Sequence, residues 1–183
     1  EMCIRGRMKG MQGKVQNDGK HLYATLKHFA AYGVPESGHN GSRANCGMRQ
    51  LLSEYLPPFR KAVKEGAGTL MTSYNAIDGV PCTANKELLT DVLRNQWGFK
   101  GFVYSDLISI EGIVGMRAAK DNKEAAVKAL KAGLDMDLGG NAFGKNLKKA
   151  YEEGLITMAD LDRAVGNVLR LKFQMGLFEN PYV

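Results

Sequence analysis

The residues whose types could do chemistry stand at the ends of short apolar runs. Gly101-Phe102-Val103-Tyr104-Ser105-Asp106 places three large β-formers between a glycine and a Ser-Asp pair. A short apolar run bounded by breakers reads as a buried strand, and strands covered on both faces are almost wholly apolar. A carboxylate has no place inside such a strand but is at home just past its carboxyl end. That edge carries the reactive groups of α/β barrels and open α/β sheets. Asp106 therefore reads as a reactive carboxylate; the competing reading is an Asp that caps the following helix. Lys27-His28 follows the run Leu22 to Leu26, and Met71 and Tyr74 fall in the run that starts at Thr69. A carboxylate nucleophile, a Lys-His pair and an aromatic tip around one pocket suit sugar chemistry. In that chemistry one carboxylate meets an oxocarbenium-like transition state, and a second carboxylic acid protonates the leaving oxygen. Lys27 and His28 can donate to ring hydroxyls and help keep the carboxylate ionised, while Tyr74 hydrogen-bonds beside it or walls the pocket. A Schiff-base aldolase using Lys27 is a second enzymatic reading. A sugar-binding or complementing fragment without turnover is a third.

The elements that must position these groups follow from periodicity and breakers. Residues 1 to about 13 read as the end of a helix, Asn17-Asp18-Gly19 as a turn, and Leu22 to Leu26 as a strand. Val34 to Gly47 is a long loop rich in Gly, Ser, Asn and Pro. Met48 to Glu65 has apolar residues at helical spacing, Met48, Leu51, Leu52, Tyr55, Leu56, Phe59 and Val63, and Pro57-Pro58 should kink or divide that helix. A strand over Thr69 to Tyr74 leads through the loop Asn75 to Pro81 to a helix capped by Asn85. The Asp106 strand follows, then a helix opened by Asn122, then a fourth strand over Leu134 to Leu138. Two helices close the chain. The last starts at Thr157, with Asp160 completing a capping box and Leu161, Val165, Val168, Leu169 and Phe173 turned inward. Strand, loop and helix repeated four times predict an α/β fold of parallel βα repeats, a half or partial TIM-type (β/α)8 barrel. Right-handed crossovers bring the four strand-end loops, including Asp135 to Asp137, to one rim. A half barrel leaves open sheet edges, so the remaining strands are expected from earlier in a parent protein or from another chain.

Composition excludes more than it selects. The chain has 183 residues, 44% hydrophobic and 24% charged, which is globular usage. No apolar run approaches the roughly 20 residues that cross a bilayer. The first residues, Glu1 to Arg7, lack a signal-peptide core and read as the inside of a helix. A net charge of +6 is spread over several helices without interleaved aromatics, so it describes solvated faces and not a nucleic-acid groove. Cys3, Cys46 and Cys82 form neither a disulfide framework nor a zinc site. His21 and His39 have no partner in the pattern and read as structural. Asp135 and Asp137 point oppositely on a strand, which argues against a shared metal. Glu111 reads as a helix-terminus charge.

The assembled motifs resemble glycoside hydrolase family 3, the β-glucosidase and β-xylosidase group. The resemblance runs from about Gly6 to Val183. It rests on Lys27-His28-Phe29-Ala30-Ala31-Tyr32-Gly33, Tyr55-Leu56-Pro57-Pro58-Phe59, Met71-Thr72-Ser73-Tyr74-Asn75, Trp97-Gly98-Phe99, Ser105-Asp106 and Ala132-Gly133-Leu134-Asp135-Met136, in family order. It implies the second half of the family's catalytic barrel as a single partial domain over 1–183. Asp106 would be the nucleophile that forms a covalent glycosyl-enzyme. Lys27 and His28 would bind hydroxyls of the non-reducing sugar, and Met71 and Tyr74 would line the pocket. Leu107 departs from the Trp that many relatives carry there. The resemblance also implies no cofactor or metal, a β-glucoside or related oligosaccharide as substrate, and a periplasmic or secreted parent. The family's sugar-holding Asp and Arg would precede residue 1 and its acid/base would follow Val183, so the isolated chain is expected to be nearly inactive.

Overall fold

A computed structural model describes residues 2–13 and 18–181. The start of the turn expected at Asn17, and the final Tyr182 and Val183, lie outside the described residues. Three strands, β1 (Thr25–Phe29), β2 (Thr69–Thr72) and β5 (Phe102–Tyr104), form a parallel sheet in the order β1-β2-β5. Beyond β5, Met136 makes a single parallel bridge to Tyr104. The three strands of this sheet lie side by side in the order they take along the chain, as successive βα units of a barrel require. Helices α1 (Met2–Gln12), α2 (Met48–Gln50), α3 (Pro57–Lys64), α4 (Ser109–Gly115), α5 (Asn122–Ala132), α6 (Ala142–Glu152) and α7 (Met158–Gln174) join two π-helical stretches, Leu51–Tyr55 and Glu87–Gln96. Among the described residues no helix is long and apolar enough to cross a membrane.

The core lies between one face of the sheet and the helices. Register aligns Leu26, Leu70 and Val103 on that face, and they meet Leu51, Leu56, Leu89, Leu93 and Ile110. On the opposite face Thr25, Thr69 and Phe102 align, with Tyr104 donating to Thr25 Oγ1 at 2.9 Å and the two threonine hydroxyls 2.6 Å apart. This second face lines an open groove with Met136, Leu138 and Leu177.

Several expected elements move, each for a local reason. The first strand is Thr25–Phe29 and not Leu22 to Leu26, because pairing with β2 begins at Thr25 and Phe29 packs fully buried against Phe59 and Trp97. Leu22 is left 63% exposed. Lys27 and His28 consequently lie in β1, not after it. The helix expected over Met48 to Glu65 is divided at Pro57, which takes the first position of α3. Its preceding turn is π-helical, with Leu56 N–H donating to Leu51 O. That geometry puts residues five apart on one face, so Leu51 and Leu56 are buried while Met48 and Leu52 are exposed. Asn85 caps as expected, its Oδ1 accepting from Leu88 N at 3.0 Å. The cap before Asn122 is Asp121, whose carboxylate accepts from Glu124 N. The loop at Asn75 contains a hairpin, β3 (Ala76–Ile77) and β4 (Val80–Pro81), turned by Asp78-Gly79, both with positive φ. Asp-Gly is a strong hairpin signal and stood in the sequence.

The fourth strand and the last helix are the larger corrections, with one cause. Asp135 turns its buried carboxylate towards Val103 N (2.8 Å), Arg94 (2.5 Å), Arg163 (2.7 Å) and Asn167 (3.0 Å). Its oxygen takes the Val103 donor that a strand carbonyl could have taken, and among the described residues the ladder shrinks to the Met136 bridge, with Asp135 N and Met136 N donating to Val103 O. Asp135 is therefore a structural anchor and does not face the rim. Because Arg163 and Asn167 must reach it, α7 buries Ala164, Asn167 and Leu171. Val165, Leu169 and Phe173, expected inward, are exposed. The capping box of Thr157 and Asp160 forms in both directions.

Candidate active site

Asp106 lies two residues beyond β5, at its carboxyl end. Its Oδ2 is 3.3 Å from His28 Nε2, and its Oδ1 accepts from Leu107 N at 2.7 Å. The capping alternative is not what forms: α4 is preceded by Ile108, with no side-chain cap. The carboxylate is left to face the site. Side-chain exposures of 13% for Asp106 and 20% for His28 keep both reachable from the rim.

His28 sits on β1, where the pairing register shifts between Leu26 and Phe29. Its ring packs on Tyr32, centroids 4.3 Å apart. Burial pushes the His28 imidazole below its ordinary value, against the pull of Asp106, and the neighbouring Lys27 adds to the downward push. A neutral ring with its proton on Nε2 can donate to Asp106. Tyr74, two residues past β2, donates its phenol to Leu107 O at 2.9 Å. Burial raises the Tyr74 phenol, and the charge of Asp106 adds to that. Tyr74 therefore stays a neutral donor over the ordinary pH range.

The structure brings Asp106, His28 and Tyr74 together through these contacts. Met71 is buried in β2, in register with Tyr104 and on the same face as Thr69. Lys27 is exposed beside His28. Two further participants went unrecognised in the sequence: Tyr32, which packs on His28, and Ser105, whose hydroxyl accepts from Leu138 N at 2.9 Å. Both stand inside motifs already singled out, but nothing in their spacing distinguished them from core residues.

Residues 3–171 match the family model described as the Glycosyl hydrolase family 3 N terminal domain. The chain belongs to glycoside hydrolase family 3. It is 39% identical to the periplasmic beta-glucosidase of Salmonella typhimurium over 175 residues, 96% of this chain and 23% of that protein. It is 42% identical to a putative beta-xylosidase of Formosa agariphila, across 96% of this chain and 24% of the relative. The crystal structure of beta-glucosidase from Listeria innocua in complex with glucose superposes with a TM-score of 0.95 at 37% identity, covering 98% of this chain and 25% of that one. The chain thus spans about a quarter of the length of these family 3 relatives, and its partial α/β barrel is the architecture they share over that span.

Ile108, just after the candidate carboxylate, has φ 60 although it is β-branched and half exposed. The left-handed region costs an L-residue about 1–2 kcal/mol, and Asn tolerates it. Ile108→Asn is expected to stabilise the fold by about 1 kcal/mol, raising the thermal midpoint by about 2–4 °C in calorimetry. A lowered midpoint would show that Ile108 is held there by packing worth more than the strain.

Proposed function

We propose that this chain supplies the nucleophile-bearing part of a retaining β-glycosidase of the β-glucosidase type, with Asp106 as the nucleophile. The supporting observation is a carboxylate at the carboxyl end of a barrel strand, held by His28 and the Leu107 amide and left open to the rim. In this reading one Asp106 oxygen bonds to the anomeric carbon while the glycosidic C–O bond breaks. The leaving oxygen takes a proton from an acid outside residues 1–183, and water then releases the sugar from the glycosyl-aspartate. Two contacts on the carboxylate, from His28 and from the Leu107 amide, orient it for the attack. Lys27, His28, Met71 and Tyr74 contact the non-reducing sugar, with Lys27 offering its ammonium to hydroxyls. The substrate is a terminal β-linked glucoside or a related oligosaccharide, consistent with relatives named beta-glucosidase and beta-xylosidase. The name of the Salmonella relative supports a periplasmic parent.

The aldolase reading gains nothing from the structure. A Schiff-base lysine is activated by desolvation or a second cation, and Lys27 is exposed.

The stereochemical course tests the proposal. Proton NMR of the first product from an aryl β-glucoside, in the enzyme that contains this chain and its proton donor, should show the β-anomer before mutarotation. A first-formed α-anomer would mean direct attack by water and no covalent intermediate.

A further inference from the structure

Behind the Asp106 loop two carboxyl groups converge. Glu111 lies on α4 and Asp137 follows the bridge residue Met136. One oxygen of each is engaged: Asn141 N donates to Glu111 Oε1 at 3.0 Å, and Phe143 N donates to Asp137 Oδ2 at 3.3 Å. The other two, Glu111 Oε2 and Asp137 Oδ1, are buried and have no hydrogen-bond partner among the described residues. Both approach the α-carbon of Gly140, where a methyl group would stand 2.7 Å from Glu111 Oε2 and 2.8 Å from Asp137 Oδ1. The groups turned towards the pair are the amides of Asn141, Ala142 and Phe143 at the start of α6 and the Ser105 hydroxyl just past β5. No ion pair among the described residues includes either carboxyl group. Two half-buried carboxylates so placed, each with one oxygen withdrawn from water and unpartnered, repel one another unless a cation or a proton lies between them.

We propose that Glu111 and Asp137 share one proton, and that the resulting carboxyl–carboxylate hydrogen bond is a clip that positions the Asp106 loop. The clip joins α4 to the segment 137–141, and that segment is stitched to the residues flanking Asp106. Ser105 N donates to Met136 O (3.0 Å), Leu138 N to Ser105 Oγ (2.9 Å) and Ile108 N to Leu138 O (3.1 Å). Leu107 lies so close to Gly139 that a methyl there would be 2.1 Å from Leu107 Cδ1. Asp106 sits between these anchors, so breaking the clip loosens both of its neighbours. Glu111 and Asp137 are positioning residues here, acting through Ser105 and Ile108.

Burial, with the charge of Glu111 adding to it, raises the Asp137 carboxyl above its ordinary value. The folded state then binds more protons than the unfolded chain in the window between the ordinary and the raised value. Stability must fall as pH rises through that window. The positioning role rests on Asp106 as nucleophile; the shared proton does not.

The test is the thermal midpoint of the protein in chelator between about pH 4 and pH 8, for wild type, Asp137→Asn and Glu111→Gln. Wild type should lose about 2–4 °C as pH rises through the upper window. Either amide variant can donate to the remaining carboxylate at any pH, so it should abolish most of that loss. An unchanged pH dependence in both variants would overturn the shared proton. A divalent cation that raises the wild-type midpoint, and not that of the variants, would replace the proton with a metal. Should the variants not fold, carbon-13 NMR of the wild-type carboxyl groups decides: one must titrate above the ordinary range, and two ordinary titrations would refute the clip. Labelling of Asp106 by an activated 2-fluoro-glycoside reads the catalytic assignment separately. Failure there with the pH effect intact sinks the nucleophile and leaves the pair standing; if labelling succeeds, it should slow at least tenfold in Asp137→Ala, recover in Asp137→Asn, and refute positioning if unchanged.

Discussion

With Asp106 as the proposed nucleophile, Asp106→Ala is expected to lower β-glycoside turnover by about 10⁴-fold or more in the enzyme that contains this chain and its proton donor, with the fold intact. Loss of a nucleophile removes the covalent step entirely, and the residual rate comes from binding and the remaining electrostatics. The side chain is largely buried but contributes little to packing, and its removal frees His28 from its carboxylate partner. Circular dichroism and the thermal midpoint should therefore change little while activity disappears. Azide fills the space left by the carboxylate and attacks the same face of the sugar. With an activated aryl β-glucoside it should restore turnover and yield the α-glycosyl azide. A variant that retains more than about a hundredth of wild-type turnover contradicts the assignment.

The second large effect concerns stability. Among the described residues Asp135 alone has a carboxylate joined to two guanidiniums, a side-chain amide and a backbone N–H, and its side chain has no exposed surface. Burial drives its carboxyl group upward and Arg94 draws it down. Burial likewise lowers the Arg94 guanidinium while Asp135 raises it. Removing the acid strands two cations, one of them 14% exposed and the other 31%. Breaking such a pair costs about 3–5 kcal/mol, so Asp135→Ala should lower the thermal midpoint on the order of 10 °C. Asn at this position keeps two of the hydrogen bonds without the charge and should fall between. A midpoint within about 2 °C of wild type for the alanine variant would mean that α7 and the end of β5 are held by something else.

The βα repeat and the place of Asp106 were legible because a buried parallel strand has to be apolar, which leaves an acid to the residues just past its carboxyl end. The apolar runs around Leu70 and Val103 carried that information directly. Legibility ended where a polar contact overruled an apolar pattern. Val165, Leu169 and Phe173 have helical spacing, but the reach of Arg163 and Asn167 to Asp135 sets the rotation of α7. The start of β1 was displaced because its register depends on Thr69, 44 residues away, which no local window contains. The π-helical turn at Leu51 likewise shifted the buried face by one residue. At the site, residue types pointed to Asp106, His28 and Tyr74, while the pairing of Glu111 with Asp137 needed the loop geometry around Gly140.

Covalent trapping reads the proposed role of Asp106 on the residue itself. A 2-deoxy-2-fluoro-β-glucoside with a fluoride or dinitrophenolate leaving group slows breakdown of the glycosyl-enzyme and needs no proton donor to form it. After incubation and proteolysis, mass spectrometry should place the fluorosugar on the peptide containing Ser105-Asp106-Leu107, with the ester on Asp106. A label on any other carboxylate, Glu111 and Asp137 included, would rule out Asp106 as the nucleophile.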